Sequence, residues 1–400
     1  MIAAPWTTGG PRARRRRGHR DSGAPRAILS PPAKRIEKKL SVLRSGSFGG
    51  AGETPSEPPA AHPAPQGAEA LITASRKARG QKTWIVTDGS VGMEAQGIAV
   101  AEAVGLPFSL KRVRIKGAMR LLPARLQIHV PPERLLRSVE SNKPLAPPWP
   151  RLVISIGRRS VPIALAIKRA ASAFGLHIQN PRVPPELFDL VAAPVHDNFE
   201  GRNVITTFGA VHSVTGPRLA DAAKGFAVQV DSLPHPHVTV LLGGESQAFS
   251  FPPEDAASFG AKLARLAREN GASLLVTPSR RTSPEALAAL SAAIKDVPHI
   301  VWDGTGDNPY FAFLALADAI VATEDSVNMV TEAAGTGKPV YVQRLKGNSR
   351  RLARFHTLMQ ERGATRPFTG RLEAWTYAPI NDTEVVASAI RRALGLDTEA

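Results

Sequence analysis

Two pairs of adjacent arginines stand at matching places in the chain, each soon after an apolar run. Arg158 and Arg159 follow "LVISI" and a glycine, and Arg280 and Arg281 follow "SLLVT" and a Pro-Ser turn. The first pair opens a helix-like stretch, where positive charge opposes the helix dipole, so helix propensity does not explain it. Guanidinium groups bind phosphate or carboxylate through paired hydrogen bonds. The repeated arrangement therefore predicts an anionic ligand, with exposed arginines in surface ion pairs as the alternative.

Two glycine-containing loops also follow apolar runs. "TDGSVGMEAQ" comes after the first run and contains Gly89 and Gly92, and "GGES" ends a later run with Gly243 and Gly244. Glycine lets a ligand or a facing domain approach the backbone closely, and a helix start offers free amides to an anion. The first loop has neither GxGxxG nor GxxxxGK[ST] spacing, so an ordinary strand–helix turn is the alternative.

The segment "ATEDSVNMVTEAAGTGKPVYV" at residues 322–342 places a serine and a glutamate on one predicted helix. Ser326 lies near the N-cap, and Glu332 follows six residues later, which is nearly two helical turns. The two side chains can therefore border one cleft without touching the same atom. An ordinary capping role for Ser326 is the alternative.

Candidates for a general base lie in the first half of the chain. "PVHDN" places His196 and Asp197 after one apolar run, His212 follows the next, and Asp88 follows the first run of all. Any of them near a cleft could take a proton from a hydroxyl, although a loop histidine more often makes structural hydrogen bonds. The sequence has no HExxH or EF-hand spacing, which predicts no metal site, and no GxSxG elbow.

Composition limits the class of protein. The chain has 400 residues, a hydrophobic fraction of 43% and no cysteines. That length fits two domains with real cores. The lack of cysteine excludes disulfides, zinc-thiolate sites and cysteine nucleophiles, and it suits a reducing compartment.

Positive charge is unevenly distributed. The net charge is +17, of which residues 1–80 contribute 15 Lys and Arg against 5 Asp and Glu. These residues combine "RARRRRGHR" with a Pro/Gly/Ala-rich stretch, which predicts a disordered basic tail. A basic arm that contacts acidic lipid or nucleic acid is the functional interpretation, and a solvated extension is the alternative. Residues 81–400 are only mildly basic and have scattered aromatics, so a nucleic-acid partner is not expected.

Apolar runs alternate with amphipathic helical stretches from residue 82 onwards. Helices are predicted over residues 94–104, 253–270 and 284–294. This alternation is typical of parallel sheets covered on both faces. We therefore predict an α/β protein of two Rossmann-like doubly wound domains, residues 82–230 and 236–380, with a C-terminal helix at 383–396. Ligands of such sheets bind at the carboxyl ends of the strands, here in the cleft between the domains.

The ordered motifs resemble the mitochondrial-fission "elongated mitochondria" family, whose bacterial branch is described as glycosyltransferases. The segments that carry the resemblance are "WIVTDGSVGMEAQGIAVAEAVGLPFSLKRV", "ISIGRRSVP", "HIQNPR", "FDLVAAPVHD", "NVITTFGAVH", "LLGGES", "TPSRRT", "ATEDSVNMVTEAAGTGKPVYV" and "GATRPFTGRLEAWTYAPINDT". They occur in the same order and cover residue 82 to the C-terminus, but not residues 1–80.

The resemblance implies a GT-B-like architecture, with the nucleotide-sugar donor on the C-terminal domain and the acceptor on the N-terminal domain. By that likeness Ser326 meets the diphosphate and Glu332 meets the ribose. Asp325 stands where many such enzymes have glycine or serine. GT-B enzymes need no bound metal, so the resemblance implies no cofactor, only a nucleoside-diphosphate sugar as substrate.

Three functions follow as hypotheses. The first is transfer of a sugar from a nucleoside-diphosphate donor to a lipid-linked or envelope glycan acceptor, by a cytoplasmic protein with peripheral contact at the inner membrane. The second is a non-catalytic scaffold that binds a protein partner at a membrane, as the plant members imply. The third is a sugar-nucleotide epimerase. The predicted donor-binding residues are Gly243, Gly244, Glu245, Arg280, Arg281, Thr282, Asp325, Ser326, Met329 and Glu332; the acceptor or phosphate loop comprises Gly89, Gly92, Gln96, Arg158 and Arg159; the catalytic candidates are Asp88, His196 and Asp197.

Overall fold

Two parallel sheets form the framework of the chain in this computed structural model, which describes residues 82–396. The predicted tail, residues 1–80, lies outside the described residues. Within the described range, the first sheet has seven strands and the second has six.

The first sheet is parallel except for one edge strand. Its order is β3-β2-β1-β4-β5-β6-β7, and β3 pairs antiparallel with β2. The strands are β1 (Thr83–Thr87), β2 (Phe108–Ile115), β3 (Val139–Ser141), β4 (Leu152–Ile156), β5 (Phe174–Ile178), β6 (Leu190–Pro194) and β7 (Val204–Thr207). The helices between them are α1 (Val91–Val104), α2 (Ala124–Gln127), α3 (Pro132–Arg137) and α4 (Val161–Ala171), and short 3₁₀ turns cover Gly117–Leu121, Pro185–Leu187 and Val195–Asp197.

The second sheet is parallel throughout, with the order β11-β10-β8-β12-β13-β15. Its strands and a small antiparallel ribbon, β9 with β14, are β8 (His237–Leu242), β9 (Phe249–Ser250), β10 (Ser273–Pro278), β11 (His299–Val301), β12 (Ala319–Thr323), β13 (Val340–Gln343), β14 (Lys346–Gly347) and β15 (Thr365–Pro367). The remaining helices are α5 (Gly216–Lys224), α6 (Ala227–Asp231), α7 (Pro253–Asn270), α8 (Pro284–Ile294), α9 (Tyr310–Leu316), α10 (Val327–Ala334), α11 (Arg350–Glu361) and α12 (Thr383–Leu394).

The central strands are short apolar segments because both of their faces are buried. Every residue of β1, β4, β8 and β12 is buried, since helices cover both faces of each sheet. α7 lies on the second sheet through Phe259, Leu263 and Leu266. The predicted bounds of α7 and α8 match the structure, whereas α1 begins at Val91, three residues earlier than predicted. The predicted α/β arrangement of two Rossmann-like doubly wound sheets is confirmed.

Each sheet reverses its winding direction once. In the first sheet the chain passes from β1 to β2 on one side and then to β4 on the other; in the second it passes from β8 to β10 on one side and later to β12 on the other. Loops at such a reversal diverge and leave a crevice at the carboxyl edge of the sheet. The loops after β1, β4, β8 and β12 are therefore the expected places for ligands.

The chain crosses between the two sheets twice. α5 packs against α9, and Val230 at the end of α6 is buried with Leu275 and Phe313 of the second sheet's core. α12 returns to the first domain and packs against α1. α5 and α6 therefore pack on the core of the second sheet, although both begin before the predicted boundary near residue 230.

The two crossings touch each other. Thr383 Oγ1 accepts from the backbone N–H of His212 and donates to the carbonyl of the same residue, both at 2.8 Å. His212 Nε2 donates to Ile380 O at 2.8 Å, and its Nδ1 accepts from Val214 N. Burial lowers the pKa of His212, which agrees with this neutral tautomer. The histidine predicted as an alternative base is thus a structural residue at the crossing.

No described helix combines the length and the apolar character that a bilayer span requires.

Candidate functional site

An ion pair between a partly exposed arginine and a buried aspartate occupies the crevice of the second sheet. Asp325 follows β12, and its fully buried carboxylate lies 2.6 Å from Arg281, which follows β10. The same carboxylate accepts from Thr323 Oγ1 at 2.6 Å and from the N–H of Gly244 at 3.2 Å. Three strand ends are therefore joined at one carboxylate. The aspartate that departs from the glycine-rich family pattern has its charge balanced inside the protein.

The glycines after β8 make room for these neighbours. A Cβ on Gly243 would lie 2.0 Å from Asp325 Oδ1, and a Cβ on Gly244 would lie 1.9 Å from the carbonyl oxygen of Arg281. The sequence predicts that a ligand or a facing domain approaches these glycines closely. In the structure, the groups that approach them belong to the neighbouring loops after β12 and β10.

Thr282 and Glu245 are already engaged around the crevice. Thr282 Oγ1 lies 3.1 Å from Leu242 O and accepts from the N–H of Ser279 at 3.0 Å, which ties the end of β10 to the end of β8. Glu245 Oε1 accepts from Ser250 Oγ and from the N–H of Phe251. Both predicted donor-binding residues therefore hold the loops in place, Thr282 through its hydroxyl and Glu245 through Oε1.

The start of α10 borders the same crevice. Ser326 caps the helix by accepting from the N–H of Met329 at 3.3 Å, and the Met329 side chain packs on the core beneath. Arg280 is exposed at the rim and has no acceptor among the described residues. One guanidinium is therefore paired inside the crevice, while the other remains available to a ligand.

Glu332 lies further along α10 and is bonded to a neighbouring helix. Tyr310 of α9 donates its hydroxyl to Glu332 Oε2 at 2.5 Å. Burial raises the pKa of Glu332 to about 7, although the Tyr310 hydrogen bond and the charge of Arg218 act in the opposite direction. Near neutral pH this carboxylate therefore exchanges between protonated and ionised forms.

We expect Glu332→Gln to raise the free energy of unfolding by about 2 kcal/mol at pH 8 and to change it little near pH 4. The folded-state pKa of about 7 lies above the ordinary value of 4.5, so the stability linked to this proton is present below pH 4.5 and is lost as the pH rises through 7. Glutamine keeps an acceptor for Tyr310 without the charge. Urea unfolding from pH 4 to 8.5 measures the difference, with Glu361→Gln, on the exposed end of α11, as the matched control. A constant difference across that range would contradict the prediction.

A second crevice lies at the carboxyl edge of the first sheet. A cavity of about 850 Å³ is bordered by Asp88 after β1 and by Arg158 and Arg159 after β4. Arg114 of β2 and Arg120 of the following 3₁₀ turn also line it. Asp88 lies 3.8 Å from Arg159, and the other three arginines have no acceptor within the described part of the chain. The groove is basic, with one carboxylate on its wall.

The predicted loop after β1 is divided between this groove and the contact between the domains. Gly89 has a φ of +91°, which suits glycine at the groove side. Gly92 and Gln96 instead meet Asn328 of α10: Gln96 Nε2 donates to Asn328 Oδ1, and Asn328 Nδ2 donates to Gly92 O, both at 3.1 Å. A Cβ on Gly92 would lie 2.8 Å from that amide nitrogen. Gly92 therefore allows the Asn328 side chain of the second domain to pack closely against α1.

His196 and Asp197 are also part of the contact between domains. Arg351 of α11 donates to Asp197 Oδ1 at 2.8 Å, and its second nitrogen lies 3.3 Å from His196 Nε2. The buried His196 ring packs on the edge of Phe355. Burial, and then the charge of Arg351, lower the pKa of His196 to about 4. These two catalytic candidates are thus engaged by the second domain, while Asp88 remains beside an open groove.

One group of possible metal ligands lies among residues 82–396, far from the carboxyl edges: His235, His237 and Asp318. Their positions at the starts of β8 and β12 have a structural reason. Asp318 accepts from the N–H of His237 at 2.7 Å and is 2.8 Å from His235 Nδ1, and both His237 ring nitrogens face backbone carbonyls. These hydrogen bonds give the three side chains a structural role at the strand starts.

Several residues at these sites were not predicted from the sequence. Arg114 and Arg120 join the groove, Tyr310 meets Glu332, and Arg351 meets Asp197. Arg114 and Arg120 lie in an unusually basic stretch, "KRVRIKGAMR", which was the available signal. Nothing in the sequence marks Tyr310 or Arg351, because their partners are distant in the chain and come together only through the fold.

Comparison with known proteins gives a family match over most of the described range. The family described as Mitochondrial fission ELM1 matches residues 91–394. The chain is 33% identical to the Mitochondrial fission protein ELM1 of Arabidopsis thaliana, across 61% of this chain and 64% of that protein's length. It is 26% identical to an uncharacterized protein of Rickettsia prowazekii, across 78% of this chain and 99% of that protein.

Two solved structures align with most of this chain at low sequence identity. A UDP-GlcNAc 2-epimerase from Methanocaldococcus jannaschii, in complex with UDP-GlcNAc and UDP, is 12% identical with a TM-score of 0.45, over 79% of this chain and 99% of that one. MurG of Acinetobacter baumannii is 14% identical with a TM-score of 0.43, over 78% and 90% of the two chains.

Proposed function

The chain belongs to the Mitochondrial fission ELM1 family, and from that premise we propose that it is a GT-B-type glycosyltransferase. In this proposal it moves a sugar from a nucleoside-diphosphate donor to a cell-envelope acceptor. The observation that supports it most is the convergence of Gly244, Arg281 and Asp325 where the second sheet reverses its winding. Loops that converge at this point in a doubly wound sheet are placed to bind a ligand.

The donor would lie along α10. Arg280 is exposed and has no acceptor among the described residues, and in this proposal it would bind the diphosphate together with the amides at the start of α10. Glu332 would accept from the ribose hydroxyls in its ionised form. Arg280 and the helix amides would also stabilise the negative charge that develops on the departing diphosphate.

The acceptor would lie in the basic groove of the first domain. Asp88 is the catalytic candidate that lines this groove, so we assign it the removal of a proton from the acceptor hydroxyl. Arg114, Arg120 and Arg158 favour an acceptor that carries negative charge, such as a lipid-linked phosphate or an acidic envelope glycan. Transfer by these groups needs no metal, so activity should persist in EDTA.

Donor binding is tested by thermal unfolding with a panel of nucleoside-diphosphate sugars. We expect one donor to raise the melting temperature, since a ligand at 100 times its Kd adds about 2.7 kcal/mol to stability. Arg280→Gln should weaken that donor's affinity by about tenfold, because a charge-assisted hydrogen bond is lost. Arg268→Gln removes an equally exposed arginine on α7 and should leave affinity unchanged. If no donor shifts the melting temperature, donor binding and the transferase proposal both fail.

Two observations favour a non-catalytic alternative. His196 and Asp197 are engaged by Arg351, and the carboxylate of Asp325 lies close to where the proposal puts the diphosphate. A chain that had kept the fold but lost catalysis, and that recruits a protein partner at a membrane, would tolerate both features. The scaffold hypothesis predicts that no donor shifts the melting temperature and that no nucleotide is released. The transferase hypothesis predicts a shift with one donor and release of its nucleotide.

A further inference from the structure

The positive charge of residues 81–400 is concentrated in one stretch. These residues contain 36 Lys and Arg against 29 Asp and Glu, an excess of seven. Residues 111–137 alone contain eight Lys and Arg and one glutamate, which is the same excess. The remainder of residues 81–400 is therefore balanced in charge, and this stretch of the first domain holds the surplus.

The same stretch exposes large apolar side chains. Leu121, at the end of a 3₁₀ turn, is 82% exposed, and Leu126 on α2 is 47% exposed. The turn is fixed from beneath, because the buried Gln127 donates from Nε2 to the carbonyls of Met119 and Leu122 at 2.9 and 2.8 Å. The two leucines are thus presented to solvent by an ordered backbone.

Arginines without partners flank these leucines. Arg120 precedes Leu121, Arg125 precedes Leu126, and both are exposed with no acceptor in the part of the chain that the structure describes. The exposed leucines and the arginines without a protein partner together form a surface that is both apolar and cationic.

We propose that residues 116–127, which we call the docking segment, bind the surface of an anionic lipid bilayer. Leu121 and Leu126 would enter the boundary between headgroups and acyl chains, and Arg120 and Arg125 would bind lipid phosphates. A bilayer interface supplies both an apolar layer and negative charge, which are the two features that this surface matches.

Other occupants fit less well. Residues 1–80 carry ten more positive than negative charges, so they would be repelled by this surface, and a second copy of the segment would be repelled for the same reason. A nucleic acid would bind the arginines but would leave both leucines in water. The leucines therefore favour a bilayer.

Docking would also orient the groove of the first domain. Arg120 belongs to the docking segment and lines the groove together with Arg114 and Asp88. A bound protein would hold the groove mouth at the lipid surface. Bilayer binding itself requires no donor and no transfer, so it can succeed or fail independently of the proposed activity.

Vesicle flotation of the full chain tests the proposal. We expect binding to phosphatidylcholine vesicles that contain 30% phosphatidylglycerol, about tenfold weaker binding for Leu121→Ser and about thirtyfold weaker binding for Arg120→Gln/Arg125→Gln. Lys262→Gln/Arg268→Gln removes two exposed positive charges from α7 and should have at most a small effect, as should Val228→Ser, at a side chain that is 89% exposed on α6. If the two control variants reduce binding as much as the docking-segment variants do, the binding is non-specific and the proposal is wrong.

A second measurement uses the absence of cysteine from the chain. Leu121→Cys labelled with an environment-sensitive fluorophore should shift to shorter emission wavelength on anionic vesicles, while labelled Val228→Cys should not. A DNA duplex at equal charge concentration distinguishes the competing occupant. If the duplex binds the full chain, and Arg120→Gln/Arg125→Gln weakens that binding while the label at residue 121 stays unshifted on vesicles, the segment is a polyanion site and the bilayer proposal is overturned.

Discussion

Replacing Gly244 with alanine is expected to lower the free energy of unfolding by about 3 kcal/mol. The new Cβ would lie 1.9 Å from the carbonyl oxygen of Arg281 and 2.3 Å from its carbonyl carbon. These are backbone atoms, and Glu245 N–H donates to the same carbonyl oxygen at 3.0 Å, so the loop cannot move aside without losing that bond. The ends of β8 and β10 would have to separate.

The matched control for this substitution is Gly225→Ala. Gly225 has a φ of −71°, and the nearest atom to a Cβ there is 3.9 Å away. Alanine at this position should leave stability unchanged or raise it by about 0.5 kcal/mol, because it restricts the unfolded chain. Urea unfolding of both variants makes the comparison. Equal stabilities for the two variants would contradict the close contact between Gly244 and the backbone of Arg281.

Replacing Arg281 with alanine is expected to lower the free energy of unfolding by about 3 kcal/mol. The fully buried carboxylate of Asp325 would lose the guanidinium at 2.6 Å and would keep only its bonds to Thr323 and Gly244. An isolated buried charge is more costly than a buried pair or a neutral group of the same shape. The loss should therefore depend on the charge of Asp325.

A double-mutant cycle separates charge from packing. Asp325→Asn in the Arg281→Ala background should recover more than half of the lost stability, since asparagine keeps an acceptor for Gly244 and carries no charge. If the two substitutions were simply additive, the pair would not be the cause. In the proposed transferase, Asp325→Asn alone would also release Arg281 towards the diphosphate and tighten donor binding.

The sequence predicts most of the architecture because hydrophobic periodicity reports local burial. α7 and α8 have the predicted bounds, since Pro253 and Pro284 mark their first turns and apolar residues recur at helical spacing. The fully buried strands were recognisable because each is a short apolar run between turn residues. The reversal point of each sheet follows from topology, which the sequence indicates only through the alternation of strands and helices.

The sequence predicts less about the site, because the same residue types serve ligand binding and packing. Gly92 and Gly243 fit a ligand loop, yet they accommodate Asn328 and Asp325. His196 fits a general base, yet Arg351 of the other domain holds it. Such pairings join residues distant in the chain, so single-segment patterns cannot reveal them. The amphipathic helix α11, which is capped by Ser349, was also not predicted from the sequence.

The two places where the chain passes between the domains restrict how the domains can move relative to each other. The chain passes between domains near His212 and again near Asp382, and four hydrogen bonds join the two passages, including one from the N–H of Phe208 to Asp382. A rotation of one domain about this line would separate the contacts of Asn328 and Arg351 and would keep these four hydrogen bonds. A sliding motion between the domains would break them. The hydrogen-bonded passages therefore favour rotation over sliding.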